Sequence, residues 1–289
     1  ELGAAVAPHP NCDGANKECK VSKKGVLIDV SKCIGCRACQ VACKAWNDLP
    51  AETTVCAGCY QNPSSLSAET WSLVEFTEIE ENGRLQWLFA KRQCMHCLHP
   101  ACVSACPVGA FHKTDQGAVV YDPARCIGCR YCMVVCPFGI PKFEWEKPLP
   151  FIRKCTFCVD RLEAGLEPAC AKACPTGAIA FGERDHLVRE AERRIRAYPE
   201  RYIDHVYGKD ELGGTSHMYL SPIPFEKLGF PTLDPEPVTR LSETVAVYGT
   251  PSLAVSVAAL LGGLYYWFST REKNAQAESA TNHREETQS

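Results

Sequence analysis

Cysteine spacing constrains this chain more than any other feature. Cys33, Cys36, Cys39 and Cys43 follow C-x2-C-x2-C-x3-C, and Cys126, Cys129, Cys132 and Cys136 repeat that spacing with Pro137 behind. Cys94, Cys97, Cys102 and Cys106 follow C-x2-C-x4-C-x3-C before Pro107. Cys155, Cys158, Cys170 and Cys174 follow C-x2-C-x11-C-x3-C before Pro175. A cubane iron–sulfur cluster needs four thiolates aimed at four irons. Three cysteines in a tight loop wrap three corners, and the fourth, three residues on and before a proline, ligates the other cluster of a pair.

Zinc and disulfides compete for the same residue type. Zinc sites use separated ligand pairs rather than three-plus-one runs. Disulfide frameworks belong mostly to small secreted domains, and a chain of 289 residues does not need such stapling. Spacing therefore favours four [4Fe–4S] clusters on sixteen of the twenty cysteines. Cys12, Cys19, Cys56 and Cys59 lie outside the four runs. One or two disulfides, with Cys12–Cys19 as a bridge, is the simplest account of them. Zinc on all four, or a redox bridge between Cys56 and Cys59, stays open.

The chain repeats itself. Cys33-Ile34-Gly35-Cys36-Arg37 recurs as Cys126-Ile127-Gly128-Cys129-Arg130, and Ala105-Cys106-Pro107 with Gly109-Ala110 recurs as Ala173-Cys174-Pro175 with Gly177-Ala178. Two ferredoxin-like modules follow from this. The second and third runs are close in sequence, so they form one module, and the first and fourth close around it. The fold class is α+β: two nested [4Fe–4S] modules with an inserted β-hairpin, an extended strap and one C-terminal transmembrane helix.

Domain limits follow composition. Residues 1–25 are polar and irregular and hold no apolar signal-peptide core. Export on a signal outside this sequence and export on a partner's signal both stay open. Residues 26–185 form the cluster domain. Within it, 71–79 and 84–90 read as a hairpin, because Leu85, Trp87 and Phe89 alternate and Asn82-Gly83 suits its turn. In 186–243, a charged surface helix (185–197, with Asp185 as N-cap) leads into a Pro-, Gly- and Tyr-rich strap with little regular structure.

Residues 245–268 carry no charge and no His, so 244–270 reads as one membrane-spanning helix. Tyr265, Tyr266 and Trp267 sit where an aromatic belt belongs, and Arg271 and Lys273 open the polar tail 271–289. Pro251 predicts a kink in the first turns. Net charge is −3, which gives no sign of a nucleic-acid partner. His96, His99 and His112 near the runs read as packing residues, and Arg37, Arg130, Arg153 and Lys154 as solvated or interface charges. Trp71, Trp87 and Trp145 read as core or interface.

These motifs resemble a known family. The residues that carry the likeness are Leu27-Ile28-Asp29-Val30-Ser31, the run CIGCRACQVAC over 33–43, Trp46-Asn47-Asp48, Tyr60 with Asn62-Pro63, and Leu66-Ser67-Ala68. Cys94-Met95-His96-Cys97, Lys154-Cys155-Thr156, Cys158-Val159-Asp160-Arg161, Glu167-Pro168-Ala169-Cys170 and Gly213-Gly214-Thr215 extend it. They resemble the iron–sulfur (beta) subunits of molybdopterin or tungstopterin oxidoreductases, above all those of membrane-bound, nitrate-inducible formate dehydrogenases. The resemblance implies one cluster on Cys33, Cys36, Cys39 and Cys174, and its neighbour on Cys43, Cys155, Cys158 and Cys170. It implies another on Cys94, Cys97, Cys102 and Cys136, and the last on Cys106, Cys126, Cys129 and Cys132. The chain departs from the ferredoxin pattern where Lys44, not proline, follows Cys43.

The resemblance further implies a non-catalytic relay. Electrons would pass from a metal–pterin catalytic subunit to a membrane cytochrome b and quinone. The chain would sit in the inner membrane by one span, with the cluster domain on the periplasmic face. The span holds no His and so supplies no haem ligand. The same architecture serves membrane-bound nickel–iron hydrogenases and other molybdopterin oxidoreductases, which are the alternatives. Truncation before Val245 is expected to release the chain from membranes with its iron content unchanged, as read by fractionation and iron analysis. Loss of iron in the truncated chain would contradict the modular reading.

Overall fold

The computed structural model describes residues 23–286, apart from 54, 56, 57, 59 and 82. Cys12, Cys19, Cys56 and Cys59, and the pairings expected of them, lie outside the described residues.

The order of elements explains where the thiols meet. Strand β1 (Lys24–Asp29) runs through a short 3₁₀ turn into the first cysteine loop and helix α1 (Ala38–Trp46). The hairpin β2 (Leu73–Glu81) and β3 (Arg84–Arg92) follows, and Gly83 takes φ +69° at its turn. Next come α2 (Ala101–Ser104), β4 (Phe111–Lys113), β5 (Val119–Tyr121) and α3 (Tyr131–Val134). Strands β6 (Lys142–Phe143) and β7 (Ile152–Arg153) pair before α4 (Val159–Glu163) and α5 (Ala169–Lys172). Strand β8 (Ile179–Glu183), α6 (Arg184–Ala197) and β9 (His217–Leu220) complete the cluster-bearing unit.

Strand β1 lies at the centre of a three-stranded sheet, β8-β1-β9, antiparallel to β8 and parallel to β9. Both faces of β1 are covered, so it reads as a continuous apolar run rather than an alternating one. Period two then sorts its side chains. Leu27 packs with Leu187, Ala191 and Ile195 of α6, spaced one helical turn apart, and with Tyr202, Met218 and Leu220. Val26 and Ile28 face the other way, toward Cys39, Val74, Ala90, Met95, Phe157 and Tyr219. The sheet thus has a helix on one side and the thiol-rich half of the core on the other.

Two expectations are corrected here. The strap is not irregular throughout, because residues 217–220 form β9, buried at every position and paired to β1. Helix α6 begins one residue earlier than expected. Glu183 is its N-cap, without a side-chain cap bond, and Asp185 lies in the first turn where its charge suits the helix dipole.

The C-terminal unit is helical from Thr239 to Glu286. It comprises α7 (Thr239–Thr244), a π-helical turn (Val245–Gly249) and α8 (Thr250–Glu286). Pro251 cannot donate to the helical ladder and crowds the carbonyl four residues back. The wider π turn lies directly before it, as such insertions do where the ladder is broken. Val247–Asn274 is long and apolar enough to cross a membrane, and the part of the tail up to Glu286 continues as helix.

One buried carboxylate ties the first cysteine loop to the sheet. Asp29, fully buried, accepts from Ser31 N at 3.1 Å, Ser31 Oγ at 2.6 Å, Tyr202 Oη at 2.8 Å and Arg194 Nη1 at 3.2 Å. Removing one partner of a buried pair leaves the other uncompensated, at roughly 3–5 kcal/mol. Asp29→Ala is therefore expected to lower the unfolding free energy of the cluster-loaded chain by about that amount, read as a lower denaturation midpoint. An unchanged midpoint would show that the clamp contributes nothing.

Candidate functional site

The two repeated loops share their backbone geometry. An aspartate opens each: Asp29 accepts from Ser31 N, and Asp122 accepts from Ala124 N at 2.9 Å, capping the 3₁₀ turns ahead of Cys33 and Cys126. Gly35 and Gly128 take φ +69° and +70°, and Arg37 and Arg130 take φ +59° and +64°. Each arginine is left-handed immediately before its helix, α1 or α3, so the loop folds back and its thiols point inward. At Gly35 a Cβ would also stand 2.9 Å from the Phe89 ring, so glycine is required there twice over. Arg37 lies over Phe76, and Arg130 over Trp145.

Sixteen thiols are present among the described residues, all of them free. Twelve line three small cavities. Cys33, Cys36, Cys39 and Cys174 surround the first, with about 390 Å³ of space free of protein atoms. Cys43, Cys155, Cys158 and Cys170 surround the second, about 340 Å³. Cys94, Cys97, Cys102 and Cys136 surround the third, about 370 Å³. The remaining four form a further set, since Cys132 is pushed up to about 12 by burial and then by the neighbouring Cys126, Cys129 and Cys106. Cys170 and Cys174 stand one turn apart, either side of Lys172, yet they line different cavities.

Successive sets are neighbours. Cys39 of the first set feels Cys170 of the second, Cys155 of the second feels Cys94 of the third, and Cys102 of the third feels Cys132 of the fourth. Cys36 of the first set and Cys129 of the last, equivalent residues of the repeated loops, are the two exposed thiols among the described residues.

The chemistry of these sets fits a four-iron cluster. A single zinc draws its sulfur ligands to about 2.3 Å. Among the described residues no three His, Cys, Asp or Glu side chains converge closely enough to hold one ion. Thiols spread around a cavity suit a metal group with several corners. Backbone amides point at the sulfurs: Ala110 N donates to Cys106 Sγ at 3.2 Å, Gly128 N to Cys126 Sγ at 3.4 Å and Phe157 N to Cys155 Sγ at 3.4 Å. Burial raises Cys106, but the amides of Phe111, Val108, Ala110 and Gly109 outweigh it and lower its pKa. Elsewhere burial dominates and pushes Cys39 up to about 11 and both Cys43 and Cys102 up to about 12.

Two lysines stand among these thiols. Lys91, at the inner end of β3, borders the first and second cavities. Burial works against its charge, but the Cys170, Cys39 and Cys155 thiolates hold its pKa above the ordinary lysine value. Lys154 borders the third cavity and donates to Cys155 O at 3.0 Å. Sequence placed Lys154 with solvated charges, but it is buried, because its ammonium finds carbonyls inside the fold. His217 lines the second cavity, and burial followed by the Lys91 charge lowers it to about 3. His96 is buried too, its Nδ1 accepting from Val119 N at 2.9 Å, while His99 and His112 are exposed. Trp71 is buried in the core, whereas Trp87 and Trp145 are exposed. Cysteine spacing alone gives no sign of Lys91 or His217. A signal for Lys91 does exist, since it continues the alternating stripe Leu85, Trp87, Phe89 into the core.

Comparison with known proteins follows the same lines. Two family models, each described as a 4Fe-4S dicluster domain, match residues 32–110 and 85–184. The chain is 48% identical over 197 residues to the nitrate-inducible formate dehydrogenase iron-sulfur subunit of Escherichia coli K12, covering 67% of this chain and 66% of that one. It is 46% identical over 198 residues to the formate dehydrogenase iron-sulfur subunit of Haemophilus influenzae, covering 67% of this chain and 63% of that one. It is 34% identical over 272 residues to the hydrogenase-2 operon protein HybA of Escherichia coli O157:H7, covering 82% of each. The chain belongs to the family of formate dehydrogenase iron–sulfur subunits and their HybA-like relatives. The chain spans just under two thirds of the length of the formate dehydrogenase subunits it matches. Membership of this family accounts for [4Fe–4S] clusters as the groups these thiols hold.

Proposed function

We propose that this chain is the electron-relay subunit of a membrane-bound formate dehydrogenase. In this reading it holds four [4Fe–4S] clusters between a molybdenum- or tungsten-pterin catalytic subunit and a membrane cytochrome b that reduces quinone. The ligand sets are Cys33, Cys36, Cys39 with Cys174; Cys43, Cys155, Cys158 with Cys170; Cys94, Cys97, Cys102 with Cys136; and Cys106, Cys126, Cys129 with Cys132. The gathering of sixteen thiols into four sets of four, with one exposed cysteine in the first set and one in the last, carries the proposal.

A [4Fe–4S] cluster, when bound, takes up and releases one electron. The chain's own residues do the rest. Val74, Phe157, Ile179 and Phe138 keep water from the thiols of the first three sets. Amides on Cys106, Cys126 and Cys155 steady the charged sulfurs. Exposed Ile34 and Val41 near Cys36, and Ile127, Tyr131 and Val134 near Cys129, leave apolar rims for a donor and an acceptor. Helix α8 anchors the chain in the inner membrane, and Arg271 and Lys273 behind its aromatic end favour a cytoplasmic C-terminus and a periplasmic cluster domain. No catalytic role falls to the chain itself.

The likeness to HybA, which extends over 82% of both chains, supports a second reading as the equivalent subunit of a nickel–iron hydrogenase. EPR spectra of the complex, purified anaerobically and treated with formate or with hydrogen, separate the two. Reduction of four-iron clusters by formate alone is expected, and reduction by hydrogen alone would overturn the formate reading. The ligand sets have their own test. Cys174→Ser and Cys170→Ser are expected to alter two different clusters, although only three residues separate them in the sequence. Loss of the same cluster in both would refute the sets.

A further inference from the structure

Lys91 occupies an unusual position for a cation. It is 3% exposed and borders both the first and the second thiol cavity. Its ammonium donates to Gln93 Oε1 at 2.6 Å, and Gln93 Nε2 donates to Tyr219 Oη at 3.0 Å. Tyr219 Oη in turn donates to the Lys91 carbonyl at 2.8 Å. This buried ring of contacts fixes where the charge sits. No ion pair between Lys91 and a carboxylate occurs among the described residues.

An ammonium withdrawn from water without an anion is strongly unfavourable, and in isolation it sheds its proton. The groups that share its two cavities are Cys33, Cys36, Cys39 and Cys174 of the first set and Cys43, Cys155, Cys158 and Cys170 of the second, whose sulfurs would carry negative charge once they ligate iron. We infer that Lys91 is an internal counter-cation shared by the first two clusters, and that its fixed charge raises the reduction potential of both.

The inference rests on the ligand sets proposed above. Taking up an electron adds one negative charge to a cluster, and a positive charge nearby favours that state. Net charge around the cluster is among the terms that set its potential. Because one ammonium borders two cavities, its effect falls on two clusters at once. The third cavity has its own cation in Lys154, whose Nζ donates to the carbonyls of Val119 and Cys155. Loss of Lys91 is therefore selective, leaving the third and fourth clusters near their original potentials.

The test is a potentiometric EPR titration of the full chain in its purified complex, comparing wild type, Lys91→Met and Lys91→Arg, with iron counted in each. Lys91→Met keeps the length and apolar stem but removes the charge. With iron content unchanged, two of the four clusters are expected to become at least tenfold less reduced at a fixed ambient potential. That corresponds to a downward shift of about 59 mV for a one-electron couple. The other two clusters and Lys91→Arg are expected to stay near wild type. Unmoved potentials in an iron-replete Lys91→Met chain would overturn the inference, as would an equal shift of all four. Should Lys91→Met lose iron, Lys91→Arg decides. Full iron in the arginine variant keeps the charge as the cause, and loss in both variants overturns it. A wild-type chain without four clusters would refute the underlying ligand sets instead.

Discussion

Four sulfurs have to reach one small cavity from stretches of chain that are far apart in sequence, and most of the fold answers to that demand. Cys174 reaches the cavity of Cys33, Cys36 and Cys39 because β8 pairs with β1 and brings the end of α5 beside the first loop. The loops tolerate left-handed arginines and short helices because each turn has to aim a thiol rather than extend a regular element. Twelve of these thiols face enclosed, largely apolar space. Burial alone disfavours their charged forms, so charge brought in by cluster ligation needs compensation from within. Amide donors stand at three of the sulfurs, and two buried lysines line the cavities.

What could be read in the sequence was the part with a fixed spacing. The sixteen ligand positions, the hairpin and the repeat of the CIGCR loops are all encoded within a few residues of each other, where local geometry leaves few choices. The apolar span 245–268 was legible for a similar reason, since length and lack of charge bound it. Long-range placement was not legible. Strand β9 is four residues with a histidine and a tyrosine in it, too short to show a period, and it is a strand because β1 offers it an edge. Lys154 carries the same composition signal as Arg130 or Arg153. Only the carbonyls of Val119 and Cys155 around its ammonium distinguish a buried cation from a solvated one. Asp185 has the right chemistry for an N-cap, but β8 runs on to Glu183 and fixes the helix start before it.

The C-terminal unit and the cluster-bearing unit differ in what they bury. The first has a charge-free run that a bilayer would cover, and its proline is accommodated by widening the helix rather than by breaking it. The second buries a few of its charges, Lys91 beside thiols and Lys154 on carbonyls among them. The likeness to formate dehydrogenase subunits is strongest over two thirds of the chain, whereas the HybA likeness is weaker per residue but longer. Cluster loops constrain identity tightly, and a membrane helix constrains little beyond hydrophobicity.

The nesting of the thiol sets also orders events in time. Cys94, Cys97, Cys102 and Cys136 are all in place once residue 136 has been made, but the cavity around Cys33 lacks its fourth wall until Cys174 appears. At ordinary translation speeds of about 5–20 residues per second, that leaves the first loop open for roughly 2–8 s after the third set is complete. Strand β9, which closes the sheet over β1, comes later still. A nascent chain therefore completes the third thiol set before the first, although the first run of cysteines leaves the ribosome earlier.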